Sequence, residues 1–370
     1  MNFQDIVAPF GITAPIVSNK EICSGNINRT YLLTVKQEGD AEKQYIVQRI
    51  NSFVFKQPDA VMTNILNVTE HIKKKLVEEC GSYERRVLSF LKTEDGKPYY
   101  YTPSSKHFYR VYEYVSDTIA HNMVHTPDQF YEAGREFGEF QGWLSDFPVD
   151  TLYEIIPDFH NTPVRYEAFL EAVKKDAAGR VAEMQEEIRF LLDRQDDCGR
   201  IVNSLKKGLI PLRVTHNDTK INNILFDTKT DKAVCVIDLD TVMPGSSLYD
   251  FGDAIRFGAS TAAEDERDLS KVSLNLELYE QFTRGFIQGT GGLLTKEEFR
   301  LLPYGAYIMT LELTVRFLTD YLNGDVYFKT NTPDHNLVRT RNQMQLLKDM
   351  EAKWTQMCEI SERCRLEANV

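Results

Sequence analysis

One short segment carries the residue types that phosphoryl transfer requires. Asp218 stands two positions before Lys220 and five positions before Asn223. In kinases this spacing lets the aspartate accept or orient a hydroxyl, the lysine steady the transferring phosphoryl group and the asparagine hold Mg²⁺. The sequence therefore predicts that Asp218 and Lys220 are catalytic and that Asn223 is a metal ligand. A surface turn that happens to contain these residue types is the alternative interpretation.

The residue that opens this segment, His216, has two interpretations. It follows a short apolar stretch and stands two positions before Asp218. A histidine at the end of a strand is more often a hydrogen-bonded structural residue than a catalytic base. We therefore expect Asp218 to take the chemical role and His216 to support it.

A second metal-binding acid is needed close to Asn223, and a hairpin can supply it. The apolar segments on either side of the next turn are predicted to pair as antiparallel strands, with Asp227 opposite Val234. In that register Asn223 lies opposite Asp238. We assign Asp238 as a metal ligand and Asp240 as a second one that acts through water, and oxygen ligands of this kind suit Mg²⁺ better than zinc.

A segment further along the chain contains a third candidate for a metal-binding acid. Asp250-Phe251-Gly252 has the letters of the metal-binding motif of protein kinases, but it follows Pro244-Gly245-Ser246-Ser247 and not a strand. We therefore expect Asp250 to be structural at this point, either capping the helix that follows or bracing the catalytic loop.

The predicted secondary structure that must position these residues changes from mainly strand to mainly helix near residue 115. Before that point the sequence predicts strands, among them a pair formed by residues 30–35 and 45–50 and joined by a polar hairpin, with one helical segment from Ala60 to Glu79. Afterwards the apolar period is helical, apart from an interruption of strands and turns between Leu212 and Asp253. The helical segments include an apolar stripe from Phe169 to Leu191 and an amphipathic, charged tail from Leu337 to about Ala368. We expect an α+β fold with a small, mainly β lobe at residues 1–115 and a large, mainly helical lobe at residues 116–370.

The composition limits the class of partner. The chain has 370 residues, with 43 Lys+Arg against 55 Asp+Glu and a formal net charge of −12. A protein that binds nucleic acid through a broadly basic surface is therefore excluded. We find no secretory signal and no apolar run of about 20 residues, and the six cysteines lack zinc-ligand spacing. We expect a cytoplasmic monomer with no nucleic-acid and no membrane partner.

The segments around Asp218 and Asp238 resemble a known group of enzymes. The matching strings are Thr215-His216-Asn217-Asp218-Thr219-Lys220, Asn222-Asn223-Ile224-Leu225-Phe226-Asp227, Cys235-Val236-Ile237-Asp238-Leu239-Asp240 and Tyr249-Asp250-Phe251-Gly252-Asp253, with further likeness at Ile27-Asn28, Gln48-Arg49-Ile50-Asn51 and Arg316-Phe317-Leu318-Thr319-Asp320-Tyr321. Together they resemble the superfamily of aminoglycoside phosphotransferases and choline kinases and, more narrowly, the N-acetylhexosamine 1-kinases. The resemblance implies a two-lobed, protein-kinase-like fold. It also implies Mg²⁺-dependent transfer of the ATP γ-phosphoryl group to the anomeric hydroxyl of N-acetylglucosamine or N-acetylgalactosamine.

A kinase needs a turn over the ATP phosphates, and one turn between predicted strands can offer backbone N–H groups to them. Its residues are Gly25, Asn26, Ile27 and Asn28. With a single glycine, the segment is equally compatible with an ordinary hairpin turn.

The cation that usually lies on the next strand has two candidates. A neutral residue, Gln48, stands where a lysine is usual, while Arg49 points to the opposite face unless a bulge turns it inward. Glu70 on the following helix could pair with that cation or remain solvated. Further on, Glu113 and Val115 occupy the place of the hinge between the lobes, where main-chain groups can pair with adenine. A plain core strand is the alternative there.

The acceptor pocket must be walled by the helical lobe so that a hydroxyl meets Asp218 in line with the γ-phosphate. Arg316 lies among apolar residues and needs acceptors, which a sugar oxygen or the carboxylate of Asp320 could supply. Phe257 could pack on an acetamido methyl group, and Asp250 lies within reach of the same wall. An arginine in the pocket disfavours cationic acceptors.

The sequence leaves two alternatives to an amino-sugar kinase. One is a kinase of another small alcohol, such as choline, ethanolamine or an aminoglycoside. The other is a kinase-like binding module without activity, although Asp218, Asn223 and Asp238 are all retained.

Overall fold

The structure is a computed structural model that describes residues 2–22, 27–37, 39 and 41–369. Its strands are β1 (Ile16–Ile22), β2 (Arg29–Lys36), β3 (Glu42–Ile50), β4 (Tyr100–Thr102), β5 (His107–Glu113), β6 (Thr118–Ile119), β7 (Arg213–Thr215), β8 (Ile224–Asp227), β9 (Ala233–Val236) and β10 (Met243–Gly245). Its α-helices are α1 (Phe3–Val7), α2 (Pro58–Cys80), α3 (Pro127–Trp143), α4 (Thr162–Lys175), α5 (Gln185–Leu192), α6 (Arg200–Lys206), α7 (Ser247–Gly258), α8 (Leu276–Gly289), α9 (Lys296–Leu322), α10 (His335–Ala352) and α11 (Trp354–Glu367).

The N-terminal part is an antiparallel sheet with one long helix. The strands are ordered β1-β2-β3-β5-β4, and helix α2 carries the buried stripe that includes Val61, Ile65 and Val68. A proline in its first turn and Gly81 at its C-cap (φ 75°) fix the two ends of α2. The predicted strand pair and the predicted helix are confirmed.

The C-terminal part is helical. Helices α7 and α9 approach so closely that a Cβ added at Gly252 would lie 2.1 Å from the carbonyl oxygen of Gly305. Glycine is therefore required at this contact between the two helices. The small sheet followed by a helical lobe confirms the expected α+β, two-lobed architecture. Among the described residues, none of the helices combines the length and the apolarity needed to cross a membrane.

Two predicted helical stretches are each interrupted. The apolar stripe from Phe169 to Leu191 is divided between α4 and α5, because Asp176 ends α4 in a left-handed conformation (φ 44°). The charged tail, predicted as one amphipathic segment, breaks at Lys353, between α10 and α11. In both places the apolar period continues across the break, so periodicity alone does not reveal it.

The strand pair β8–β9 forms, but the predicted register is wrong. Ile224 pairs with Val236, and the pairing of Phe226 with Ala233 leaves Val234 as an extra residue in β9. The turn is tighter than predicted, because the backbone N–H of Asp227 donates to the carbonyl oxygen of Lys232 at 2.9 Å, and the bulge recovers only one of the two positions. The carbonyl oxygen of Asn223 therefore accepts a hydrogen bond from the backbone N–H of Ile237 at 2.9 Å, and Asn223 does not lie opposite Asp238.

Candidate active site

One carboxylate fixes the backbone of the predicted catalytic loop, residues 216–223. Asp250 on α7 is 1% exposed, and its two oxygens accept hydrogen bonds from the backbone N–H groups of His216 (2.9 Å) and Asn217 (2.7 Å). Gln141 on α3 donates a third hydrogen bond at 2.7 Å. Burial raises the pKa of Asp250, while the electrostatic influence of His216 and these hydrogen bonds oppose the rise. Of the two structural roles predicted for Asp250, bracing the loop is confirmed, whereas Ser246 caps the helix. The contact of Asp250 with the acceptor stays a prediction.

The three polar residues of the loop lie together. The ammonium of Lys220 lies 2.8 Å from Oδ1 of Asp218, and the amide of Asn223 donates to Oδ2 of Asp218 at 3.0 Å and to its carbonyl oxygen at 2.8 Å. Burial alone would raise the pKa of Asp218, but Lys220 and these neighbours hold it below the ordinary value. Asp218 in turn raises the pKa of Lys220. Both groups are therefore charged at neutral pH.

His216 is structural, as expected. Its Nε2 lies 2.8 Å from the carbonyl oxygen of Ile237, and its Nδ1 accepts a hydrogen bond from the backbone N–H of Asp218 at 3.2 Å. The carbonyl requires a proton on Nε2 and the N–H requires none on Nδ1, so the network assigns the tautomer. A ring engaged at both nitrogens ties the loop to the strand end before Asp238 and has no free atom for proton transfer.

The donor set fits a magnesium ion. Both amide hydrogens of Asn223 point at Asp218, which leaves its Oδ1 for a cation. Asp238 follows β9 in a left-handed conformation (φ 59°) and is exposed. Desolvation by the surrounding protein, then the negative charges of Asp240 and Asp218, raise the pKa of Asp238 to about 7. Crowded carboxylates beside an amide oxygen are the hard ligands that Mg²⁺ prefers.

Asp240 differs from its prediction. It is 3% exposed, one oxygen forms an ion pair with Arg110 of β5, and the other accepts a hydrogen bond from the amide of Asn28. Nε and Nη2 of Arg110 donate to the amide oxygen of Gln48 at 2.9 and 2.8 Å. Both carboxylate oxygens of Asp240 are thus engaged by the small lobe, which leaves Asp238 as the acid available to a metal. Sequence reasoning missed Arg110, although an arginine within the apolar run of β5 was a signal.

Other residues predicted to bind the nucleotide belong to the segment before β2 and to strand β3. Gly25 and Asn26 lie outside the described residues, while Ile27 accepts a hydrogen bond from the amide of Asn51 at 3.2 Å. Arg49 lies opposite Tyr109 in the β3–β5 ladder, and Gln48 lies opposite Arg110. No bulge turns Arg49 inward within that ladder.

Neither Glu70 nor Glu113 turns its side chain to the site. Glu70 pairs with Lys73 on the surface at 2.9 Å. Glu113 pairs with Lys43 at 2.7 Å, and its backbone N–H donates to Ser89 at 3.0 Å. The carbonyl oxygen of Val115 accepts from the hydroxyl of Thr118 at 2.7 Å.

The predicted acceptor residues fall into two groups. The ring centroid of Phe257 lies 5.9 Å from the ammonium of Lys220, so Phe257 belongs to the catalytic end of the wall. Arg316 is packed among aromatic rings and reaches Glu312 at 3.7 Å. Asp320 does not pair with Arg316, which corrects one expectation. Its carboxylate instead accepts hydrogen bonds from the backbone N–H groups of residues 326–328 and from Asn336, and so holds the loop beside Arg316.

Comparisons with solved structures agree with the fold. A solved aminopropanol kinase associated with a microcompartment is 17% identical, with 92% of this chain and 93% of that chain covered and a TM-score of 0.60. An aminoglycoside phosphotransferase from Alicyclobacillus acidocaldarius is 12% identical, with coverage of 99% and 96% and a TM-score of 0.54. An ethanolamine kinase from Plasmodium vivax is 14% identical, with coverage of 92% and 85% and a TM-score of 0.54. At these identities the likeness shows a kinase-like fold.

The sequence itself matches a family description over most of its length. Residues 18–282 match the phosphotransferase enzyme family, and this range includes all of the sheet except the first two residues of β1, together with residues 216–223, Asp238 and Asp250. The chain belongs to the phosphotransferase enzyme family and is a small-molecule phosphotransferase.

Proposed function

We propose that this protein transfers the γ-phosphoryl group of ATP to the anomeric hydroxyl of N-acetylglucosamine or N-acetylgalactosamine. Residues 1–115 would bind the nucleotide and residues 116–370 the acceptor. The observation that carries the kinase assignment is the joint placement of Asp218, Lys220 and Asn223, with Asp238 close enough for its charge to interact with that of Asp218. A module without activity would not need to keep all four.

Each side chain has a defined task in this reaction. Asp218 is ionised, so it would accept a hydrogen bond from the C1 hydroxyl, orient its oxygen toward the γ-phosphorus and take the proton as the new P–O bond forms and ADP leaves. Lys220 would neutralise charge on the phosphoryl oxygens. Asn223 and Asp238 would hold Mg²⁺, which when bound neutralises the charge of the phosphate chain.

The charge of the acceptor wall supports a neutral acceptor. Arg316 and Arg165 lie close enough that the charge of Arg316 helps to lower the pKa of Arg165, after the effect of burial. The carboxylate of Glu312 lies 3.7 Å from Arg316, and it also accepts hydrogen bonds from His160 (2.9 Å) and Thr162 (2.9 Å). Two guanidinium groups repel a cationic amino alcohol and can donate to sugar hydroxyl and amide oxygens. This feature favours an N-acetylated sugar over choline or ethanolamine.

The test is an assay of ADP release with Mg²⁺-ATP across a set of acceptors. We expect turnover with N-acetylglucosamine or N-acetylgalactosamine and none with the methyl glycosides of the same sugars, because those lack the C1 hydroxyl. Turnover confined to ethanolamine, choline or an aminoglycoside would contradict the acceptor assignment and keep the kinase assignment. Absence of both turnover and ATP binding would contradict both.

The role of Asp218 has its own variant. Asp218→Asn keeps the shape of the side chain but cannot take a proton, so kcat should fall by about 100- to 10,000-fold. The affinity for Mg²⁺-ATP, measured by calorimetry, should change little because Asn223 and Asp238 remain. Comparable turnover in the variant and the unmodified protein would refute the assigned role.

A further inference from the structure

The small lobe needs a cation to meet the phosphates of a nucleotide, and strand β3 does not supply one on the right face. Arg49 is paired with Tyr109 and alternates with Gln48, so it shares a face with Val47, which packs in the outer cluster with Val7 and Phe10. Gln48 shares the opposite face with Ile50, which packs into the main core. The residue of β3 that faces the groove is therefore neutral.

Strand β5, which pairs with β3, supplies the positive charge that β3 lacks on this face. Arg110 is directly opposite Gln48 in the β3–β5 ladder and is 1% exposed. Gln48 accepts hydrogen bonds from Nε and Nη2 of the guanidinium, and Asp240 forms an ion pair with Nη1. The glutamine at the usual lysine position thus fixes the orientation of a cation supplied from β5.

The surroundings of Arg110 are those of a phosphate site. Asp240, its partner, lies two residues beyond the proposed metal ligand Asp238 and also accepts a hydrogen bond from Asn28, the residue before β2. Phosphates that lie between Asn28 and a metal at Asp238 would therefore pass close to the guanidinium. The planar fork of an arginine suits phosphate oxygens, and burial makes each such contact stronger.

We propose that Arg110 binds the phosphate chain of the nucleotide, with Gln48 as its positioning residue and Asp240 as its carboxylate partner from the other lobe. This inference rests on the proposed use of ATP and is independent of the acceptor. It also has a structural consequence. The cation and its partner belong to different lobes, so the ion pair joins the lobes at the place where the phosphates bind.

The test is calorimetric binding of Mg²⁺-ATP, Mg²⁺-ADP and adenosine to Arg110→Met. Loss of a charge-assisted contact to phosphate should weaken ATP and ADP by about 10- to 100-fold, with adenosine changed by less than about twofold. Arg49→Met is the matched control because it removes an arginine one residue from Gln48 but on the other face. Its affinities for all three compounds should equal those of the unmodified protein.

Several outcomes distinguish phosphate binding by Arg110 from a purely structural ion pair. Equal affinity of Arg110→Met and the unmodified protein for ATP, or an equal loss for ATP and adenosine, would overturn the inference, since a purely structural ion pair predicts one of these. Loss of ATP binding in Arg49→Met alone would also overturn it. If Arg110→Met does not fold, the double variant Arg110→Met with Asp240→Asn, which leaves no unpaired buried charge, is compared with Asp240→Asn alone. The loss specific to ATP and ADP must persist in that comparison. Failure of the unmodified protein to bind ATP would instead refute the proposed function.

Discussion

The most informative substitution is Asp250→Asn, because it separates positioning of the catalytic loop from binding of the acceptor. In the native structure the two carboxylate oxygens accept from two consecutive backbone N–H groups, those of His216 and Asn217. An asparagine offers one acceptor oxygen and places an NH₂ group opposite the other N–H. One hydrogen bond is then lost, and two donors face each other in a buried site.

The magnitude follows from these contacts. A hydrogen bond to a charged acceptor contributes about 1.5–3 kcal/mol, and a buried donor left without a partner costs a similar amount. We therefore expect the free energy of unfolding to fall by about 2–4 kcal/mol. Asp218 follows these two residues directly, so it should move, and a displacement of about 1 Å can lower kcat by about 100-fold.

The assay is steady-state kinetics with varied acceptor, together with thermal unfolding. A positioning role predicts a large fall in kcat with a KM for the acceptor that changes by less than about twofold. Gln141→Leu is the control, because it removes one hydrogen bond to the same carboxylate and leaves both backbone contacts; its kcat should change far less. A raised KM with an unchanged kcat would refute the reasoning and return Asp250 to the acceptor pocket.

Three further predictions concern other parts of the molecule. Glu136 is buried, and burial raises its pKa to about 7 from an ordinary value of 4.5; since the folded state then binds the proton more tightly, stability should decline as the pH rises from about 4.5 to 7. Glu136→Gln should remove that decline and be more stable at pH 8 by on the order of 3 kcal/mol in chemical unfolding, and identical pH profiles would contradict this. Gly252→Ala places a Cβ 2.1 Å from the Gly305 oxygen and should destabilise by about 1–3 kcal/mol, whereas Gly142→Ala, with its nearest atom at 3.2 Å, should cost less in the same thermal scan. Asp238→Ala should abolish the Mg²⁺ dependence of ATP binding in calorimetry, and an unchanged dependence would exclude Asp238 as a metal ligand.

The catalytic loop could be predicted from the sequence because its chemistry is local. Asp218, Lys220 and Asn223 lie within six residues, so their spacing alone brings them together. The strand pair β2–β3 and the helix α2 could be predicted for the same reason, since their periodic patterns are continuous along the chain.

Arg110 could not be assigned from the sequence because its role depends on pairing between distant strands. It acts with Gln48, 62 residues earlier, and with Asp240, 130 residues later. The register of β3 against β5 decides that Gln48 and not Arg49 faces it. The sequence of β3 alone leaves both residues open, and the answer comes from which face of the sheet meets the other lobe.

Although the predicted register of β8 and β9 is wrong, Asp218 and Asp238 still lie close enough for their charges to interact. The reason lies in side-chain contacts with the backbone. His216 bonds to the carbonyl oxygen of Ile237, the hydroxyl of Thr241 donates to the carbonyl oxygen of His216 at 2.7 Å, and the amide of Asn217 donates to that of Thr241 at 2.9 Å. These three links join the catalytic loop directly to the residues on both sides of Asp238.

The same links explain how the loop tolerates strain. Asn217 and Asp238 both have positive φ, at 64° and 59°, and a residue in this region costs on the order of 1–3 kcal/mol where it is not a glycine. Asparagine and aspartate adopt this conformation more readily than other residues, and each is flanked by a link between the two segments. Because either strained turn would relax if the links were lost, Asp218 and Asp238 are held as one unit. A substitution at Thr241, which contacts neither substrate nor metal in this scheme, should therefore impair both metal-dependent ATP binding and kcat. The variant that tests this is Thr241→Val, which removes the hydroxyl at nearly constant volume. Loss of only one of the two properties would show that the two segments move independently.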